Sequence, residues 1–348
     1  MAGPEAPTRS AAPLLTALLA VLTVAVVGAC SSPSTGGETV ETEVVTGPRT
    51  AVVDAEPEPI TTDPEPALPA TVRGADGVET TITDVSRIVA ADRSGTLAQT
   101  VYALGLGDNL VGRSTPSFPA IEDVPNVTPG GHGLNTEAIL DLNPTVVLTD
   151  TSIGPLAVQE QIRAAGVPVV FVDPERSLDT VAADIESVAA ALGVPEEGRA
   201  LADRTLAEID AAKDSIPAEH PEPTVAFLYL RGSAIKMLGG PGSGADALIT
   251  AAGGRDAGVL AGLDSEFVPI TSEAMIASSP DIILVMTHSL ESVGGAEGMA
   301  RLPGVAQTPA GKTGTIVDMD DSILLSFGPQ SGRVLAALVE AFYPADES

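Results

Sequence analysis

The chain has 348 residues, enough for two domains, with 47 acidic against 17 basic side chains and a net charge of −30. That balance argues against a nucleic-acid binder, which needs a basic surface to neutralise phosphates. A single cysteine excludes an internal disulfide. With no tryptophan and 3% aromatic residues, a sugar cleft of stacked rings is disfavoured.

Residues 1–30 read as an export signal. Arg9 gives a weak basic start, and Leu14–Val27 is an apolar run too short to span a bilayer comfortably. The run ends Val27-Gly28-Ala29-Cys30, small residues directly before the only cysteine. This resembles the bacterial lipoprotein lipobox, in which the cysteine is acylated and becomes the mature N-terminus; the alternative is a plain secretory signal. Residues 31–69, rich in Ser, Pro, Thr, Gly and Glu, read as a flexible tether. Ala70–Ile82 has the pattern of a hairpin turning at Ala75-Asp76-Gly77.

Residues 70–194 read as a first lobe. Strands are expected at Arg87–Ala91, Thr145–Thr149 and Val167–Val172, and helices at Ser94–Leu104, Thr136–Leu142 (capped by Thr136), Pro155–Ala165 and Leu178–Leu192. A glycine-rich loop, Pro129-Gly130-Gly131-His132-Gly133, lies among them. Residues 195–217 are a long helix. Pro195 suits its first position, Glu196 and Glu197 complement the positive end of its dipole, and Lys213 the negative end. Leu201, Thr205, Ile209, Ala212 and Ile216 form one stripe at helical spacing, and Pro217 stops the helix.

Residues 218–348 read as a second lobe. Strands are expected at Thr224–Leu230, Ile235–Leu238, Asp281–Met286 and Thr315–Asp318, and helices at Asp246–Ala252, Ser272–Ser278 and Gln330–Phe342. The fold class is therefore α/β, two Rossmann-like lobes joined by one long helix with a ligand cleft between them. An internal repeat supports it. Thr136-Glu137-Ala138-Ile139-Leu140 followed by Asn143-Pro144 and an apolar strand recurs, at an offset of 136 residues, as Ser272-Glu273-Ala274-Met275-Ile276 followed by Ser279-Pro280 and another.

At this point the chain resembles the substrate-binding lipoproteins of ABC transporters, in the subgroup with one rigid interlobe helix that serves siderophores, cobalamin and haem. The resemblance covers about Ser86–Tyr343. It is carried by Gly130-Gly131-His132-Gly133-Leu134, Tyr229-Leu230-Arg231, Gly240-Pro241-Gly242-Ser243-Gly244-Ala245-Asp246 and Leu290-Glu291-Ser292-Val293-Gly294-Gly295. Nearest are the haem-binding members. There the resemblance implies His132 and Tyr229 as axial ligands of the haem iron, one from each lobe, with Arg231 supporting the tyrosine. The chemistry is consistent: both side chains ligate haem iron, and a neighbouring cation favours the phenolate. On a strand, i and i+2 share a face, so Arg231 is expected to reach the Tyr229 oxygen. His288 is a further cleft candidate. Tyr102 is read as core, Tyr343 as a cap at the chain end, and His220 as a solvated loop residue. The resemblance also implies that Glu137 and Glu273 dock on an ABC permease dimer served by its ATPase; their other reading is a first-turn Glu stabilising its own helix. The protein is then a monomeric, lipid-anchored, extracellular carrier in iron acquisition, held through Cys30, and not an enzyme. One departure is Gly328-Pro329-Gln330, where relatives often have Gly-Pro-Arg. If that Arg holds a haem propionate, Arg113 or Arg333 is the substitute.

Two other cargoes compete in the same fold, a ferric siderophore and cobalamin. A Zn²⁺ or Mn²⁺ site of His132, His288 and a carboxylate is a further rival. For an enzyme, the sequence offers no nucleophile–base pairing, no Gly-x-Ser-x-Gly and no phosphate loop.

Overall fold

The computed structural model describes residues 46–131, 133–219 and 221–344. The export signal with Cys30, the first part of the tether, His132 and His220 lie outside the described residues.

In chain order the strands are Pro48–Thr50 (β1), Ala70–Arg73 (β2), Glu79–Ile82 (β3), Ile88–Ala91 (β4), Leu110–Arg113 (β5), Val146–Thr149 (β6), Val169–Phe171 (β7), Thr224–Arg231 (β8), Ile235–Gly239 (β9), Arg255–Asp256 (β10), Phe267–Pro269 (β11), Ile282–Met286 (β12) and Ile316–Met319 (β13). The front sheet is parallel, in the order β5-β4-β6-β7. The back sheet runs β1-β13-β12-β8-β9-β11, parallel as far as β8, with β9 and β11 antiparallel and β10 beside β8. β4, β6 and β12 are buried along their whole length, as parallel strands covered on both faces must be. β2 and β3 form the expected hairpin. β5 has no counterpart among the expected strands, because Gly112 interrupts its apolar run. That glycine lets Leu142, Val89 and Val127 close in where a Cβ would come within 2.9 Å of the Leu142 side chain.

The long helix covers Pro195–Asp214, about 30 Å at the usual rise. Its buried stripe is Gly198, Leu201, Ala202, Thr205, Ile209 and Ala212. It packs on Val181–Ala191 of the front lobe and on the closing helix Ser331–Phe342 of the back lobe. Two glycines allow this. A Cβ on Gly198 would lie 2.4 Å from the Ala189 side chain, and one on Gly332 would lie 2.3 Å from that of Glu208. One apolar core consequently runs through both lobes, from Ile88 and Leu97 through Leu201 and Ile209 to Phe227 and Leu335.

The tether expectation is corrected over 48–69. This stretch straps across both lobes. β1 covers the β13 edge, and Ala51 N donates to Asp318 O at 2.8 Å. Gln330 Nε2 holds Asp54 O at 2.5 Å, and Arg333 pairs with Glu58 at 2.7 Å. The chain then crosses to the front lobe, where Ile60 N meets Ala103 O and Ala67 N meets Gly193 O. Its prolines lack an N–H, so the strap can lie flat with few main-chain donors to satisfy. Compositional disorder arguments miss this, because the apolar surface that orders the strap belongs to the body.

The repeat is present in three dimensions. Helices Thr136–Asp141 and Ser272–Ser278 are capped by Asn135 and Thr271, each side chain accepting from the N–H three residues on. Each unit then passes a left-handed residue, Asn143 (φ 46°) or Ser279 (φ 43°), before its proline and buried strand. The front cap is thus Asn135, one residue before the expected Thr136, because Asn135 keeps the extended backbone of a cap while Thr136 is already helical.

Candidate functional site

In open parallel sheets, ligands gather beyond the carboxyl ends of the strands. On the back lobe those ends are Arg231 of β8, Thr287 after β12 and Asp320–Asp321 after β13. Leu228 and Leu230 point into the core, and Tyr229 and Arg231 take the other face, half-buried. Met237 and Ile235 stand opposite them across β9, and the Tyr229 ring meets Phe267 at 5.9 Å.

The Arg231 guanidinium lies over the Tyr229 ring, 4.5 Å from its centroid. Its donors go elsewhere: Nη1 to Ser289 Oγ at 2.6 Å and to Leu230 O at 2.9 Å, Nη2 to Asp321 Oδ1 at 3.1 Å. The expectation that Arg231 reaches the phenol oxygen is therefore corrected to a contact with the ring face. The i, i+2 rule fixes the face and leaves the direction to whatever anchors the side-chain end. Asp321 Oδ2 accepts the His288 main-chain N–H at 2.9 Å. Burial raises the Asp321 carboxyl above the usual range, opposed by the His288 N–H and by Arg231. The His288 imidazole is 69% exposed, with Nδ1 3.7 Å from Glu291 Oε2. Among the described residues, no group of three His, Cys, Asp or Glu side chains converges to hold a bare metal ion.

On the front lobe, Gly130 and Gly131 are left-handed (φ 87° and 81°), and Gly133 pairs with Gly154, just beyond β6. Thr115 and Thr128 pin the loop base, Thr115 Oγ1 donating to Thr128 O at 2.7 Å. The residues flanking His132 thus lie at the carboxyl edge of the front sheet. Close by, Arg176 reaches Asp150 at 2.8 Å and Asp184 at 3.7 Å. Burial pushes the Asp184 carboxyl up to about 6, with Arg176 opposing.

The two carboxyl edges meet. Thr96 Oγ1, just past β4, donates to Ser326 O, and Gln99 Nε2 donates to Ser322 O at 3.0 Å. Asp321 is therefore adjacent to an interlobe contact.

Arg113 and Arg333 are corrected as propionate holders. Arg113 is buried and gives its guanidinium to the carbonyls of Ile121, Ser114, Thr115 and Glu122, bracing its own loop. Arg333 lies between Glu58 of the strap and Glu208 of the long helix. Gln330 is buried under the strap. Glu137 and Glu273 are exposed on first helical turns at equivalent positions of the repeat. Tyr102 is half-buried, bonded to Glu56 and packed edge-on against Phe118; Tyr343 donates to Gly253 O. Asp321 and Ser289 had no motif to announce them. Their signal was position alone, each just past a strand at the edge that holds Tyr229.

A hollow of about 390 Å³ lies at the other end of β8, lined by Glu222, Arg255, Asp256 and Leu260. Asp256 is occupied there as a helix cap for Val259.

A family model described as periplasmic binding protein matches residues 88–323. The solved heme binding protein HmuT is 39% identical, with a TM-score of 0.81, over 87% of this chain and 99% of its own. Variants of HmuT with one histidine, one tyrosine or one arginine changed to alanine are similar as well, the tyrosine and arginine being two residues apart. The ABC transporter substrate-binding lipoprotein YvrC of Bacillus subtilis is 24% identical over 283 residues, 80% of this chain and 86% of its own. The vitamin B12-binding protein of Yersinia pestis is 28% identical over 139 residues, 40% of this chain and 49% of its own.

Proposed function

The chain belongs to the periplasmic binding protein family, and from that premise we propose that it is the haem-binding component of an ABC importer. Haem is its cargo, held between the lobes with His132 and Tyr229 as axial ligands and Arg231 supporting the tyrosine. The observation that carries this reading is the Tyr229–Arg231 pair at the carboxyl edge of β8, cation over ring at 4.5 Å. A tyrosine and an arginine at the same spacing are among the residues varied in HmuT. Tyrosine is among the side chains that ligate haem iron in proteins. The interlobe helix, the strap and the Gln99–Ser322 contact suit a preformed cleft that closes little.

Delivery is to a permease dimer with its ATPase, through Glu137 and Glu273, whose equivalence in the repeat suits a two-fold partner. Acylation of Cys30 holds the protein on the outer face of the membrane, as YvrC's description as a lipoprotein supports. The protein works as a monomer and binds its cargo without transforming it.

Cobalamin is the second reading, favoured by the partial similarity to the vitamin B12-binding protein. Titration with hemin, cyanocobalamin and a ferric hydroxamate, followed by absorbance, separates them. A red-shifted Soret band saturating with hemin is expected. Saturable binding of cyanocobalamin or the hydroxamate, with no Soret change on adding hemin, overturns the haem reading.

A further inference from the structure

We propose that Asp321 is a positioning residue for the Tyr229 side of the site: it fixes the Arg231 guanidinium across the Tyr229 ring. Its premise is geometric, and its consequence rests on the haem reading above. An arginine side chain has four rotatable bonds, and the face of a ring offers it attraction with little direction. Something must therefore hold the far end.

Two side chains do. Ser289, fully buried, takes Nη1 at 2.6 Å, and Asp321 takes Nη2 at 3.1 Å. The Asp321 carboxylate is itself fixed, because its other oxygen accepts the His288 N–H at 2.9 Å. Its side chain is 28% exposed, so the pair is partly shielded, unlike an ion pair in open solvent. The end of β8 and the segments after β12 and β13 are thereby tied together through Arg231. The loop carrying Asp321 is also the one gripped by the front lobe, through Gln99 on Ser322.

The sign of the effect follows from order along the contact. Arg231 touches the ring, and Asp321 stands behind Arg231. The nearer charge dominates, so the pair presents its positive end to Tyr229. Removing Asp321 leaves the guanidinium held at Nη1 alone and loosens its seat over the ring, although it also removes a negative charge.

The test uses the wild-type protein and the variants Asp321→Ala, Asp321→Asn, Arg231→Ala and Asp321→Ala with Arg231→Ala. Each is loaded with hemin, and its melting curve is compared with that of the wild type. Transfer of hemin to an apo-globin scavenger is expected to speed up on the order of tenfold in Asp321→Ala, as for second-layer partners of metal ligands. The visible charge-transfer band is expected to move toward that of Arg231→Ala. In the Arg231→Ala background, loss of Asp321 should add nothing. Asp321→Asn keeps the shape and is expected to show the same direction, so it carries the test if Asp321→Ala does not fold. Wild-type release and spectrum in the Asp321 variants, or additive effects in the double variant, would overturn the proposal alone. A wild-type protein that leaves the Soret band unchanged overturns it together with the haem reading.

Discussion

At the scale of single residues, the arginines show how position decides chemistry. Arg231, Arg113 and Arg333 have the same side chain. Arg231 lies over a phenol ring at the edge where ligands gather. Arg113 is closed into main-chain carbonyls, and Arg333 is paired with carboxylates of the strap and the long helix. Tyr229→Ala and His132→Ala are each expected to shift the haem spectrum while circular dichroism stays unchanged. Wild-type spectra in both variants would remove the ligand assignment. Arg113→Met is expected to do the reverse. It leaves buried carbonyls unpaired, with a loss of about 2–3 kcal/mol in denaturant unfolding, and it does not move the Soret band. A spectral change without destabilisation would return Arg113 to the cleft.

At the scale of elements, the long helix holds the lobes because small residues let it be approached from both sides. The closing helix reaches it at Gly332, where a Cβ would also lie 2.7 Å from the Glu208 main chain. Gly332→Ala should therefore force the two helices apart and lower stability by about 1–3 kcal/mol, the range for overpacking. A melting temperature equal to wild type would show that the helices can slide. The start and most of the length of this helix were legible from Pro195 and its apolar stripe, because those signals are local; its end was not, since the helix stops at Asp214, short of Ile216 and Pro217. The strap was not: the groups that hold it, Asp318, Gln330 and Gly193, are far away in the chain.

At the scale of the whole molecule, charge and symmetry give two more tests. Asp184 is pushed up to about 6 from an ordinary 3.8. Between those values the folded protein keeps a proton that the unfolded chain releases, so this group's contribution to stability falls as pH rises from 4 through 6. Asp184→Asn cannot ionise. Its stability relative to wild type should improve from pH 4 to pH 7 on the order of 1 kcal/mol, and parallel pH profiles would refute the account. Glu137→Arg and Glu273→Arg should leave hemin binding intact and weaken uptake by cells; unaltered uptake in both would remove the docking role. The sequence by itself determined the α/β class, the long helix and the repeat, since these depend on spacing and short-range chemistry; the candidate ligands came from the resemblance to haem-binding members. The tertiary structure alone decided that Arg231 faces a ring, that Asp321 and Ser289 hold it, and that residues 48–69 lace the lobes together. A side chain's direction, and the order of a polar segment, are set by partners that only folding brings near.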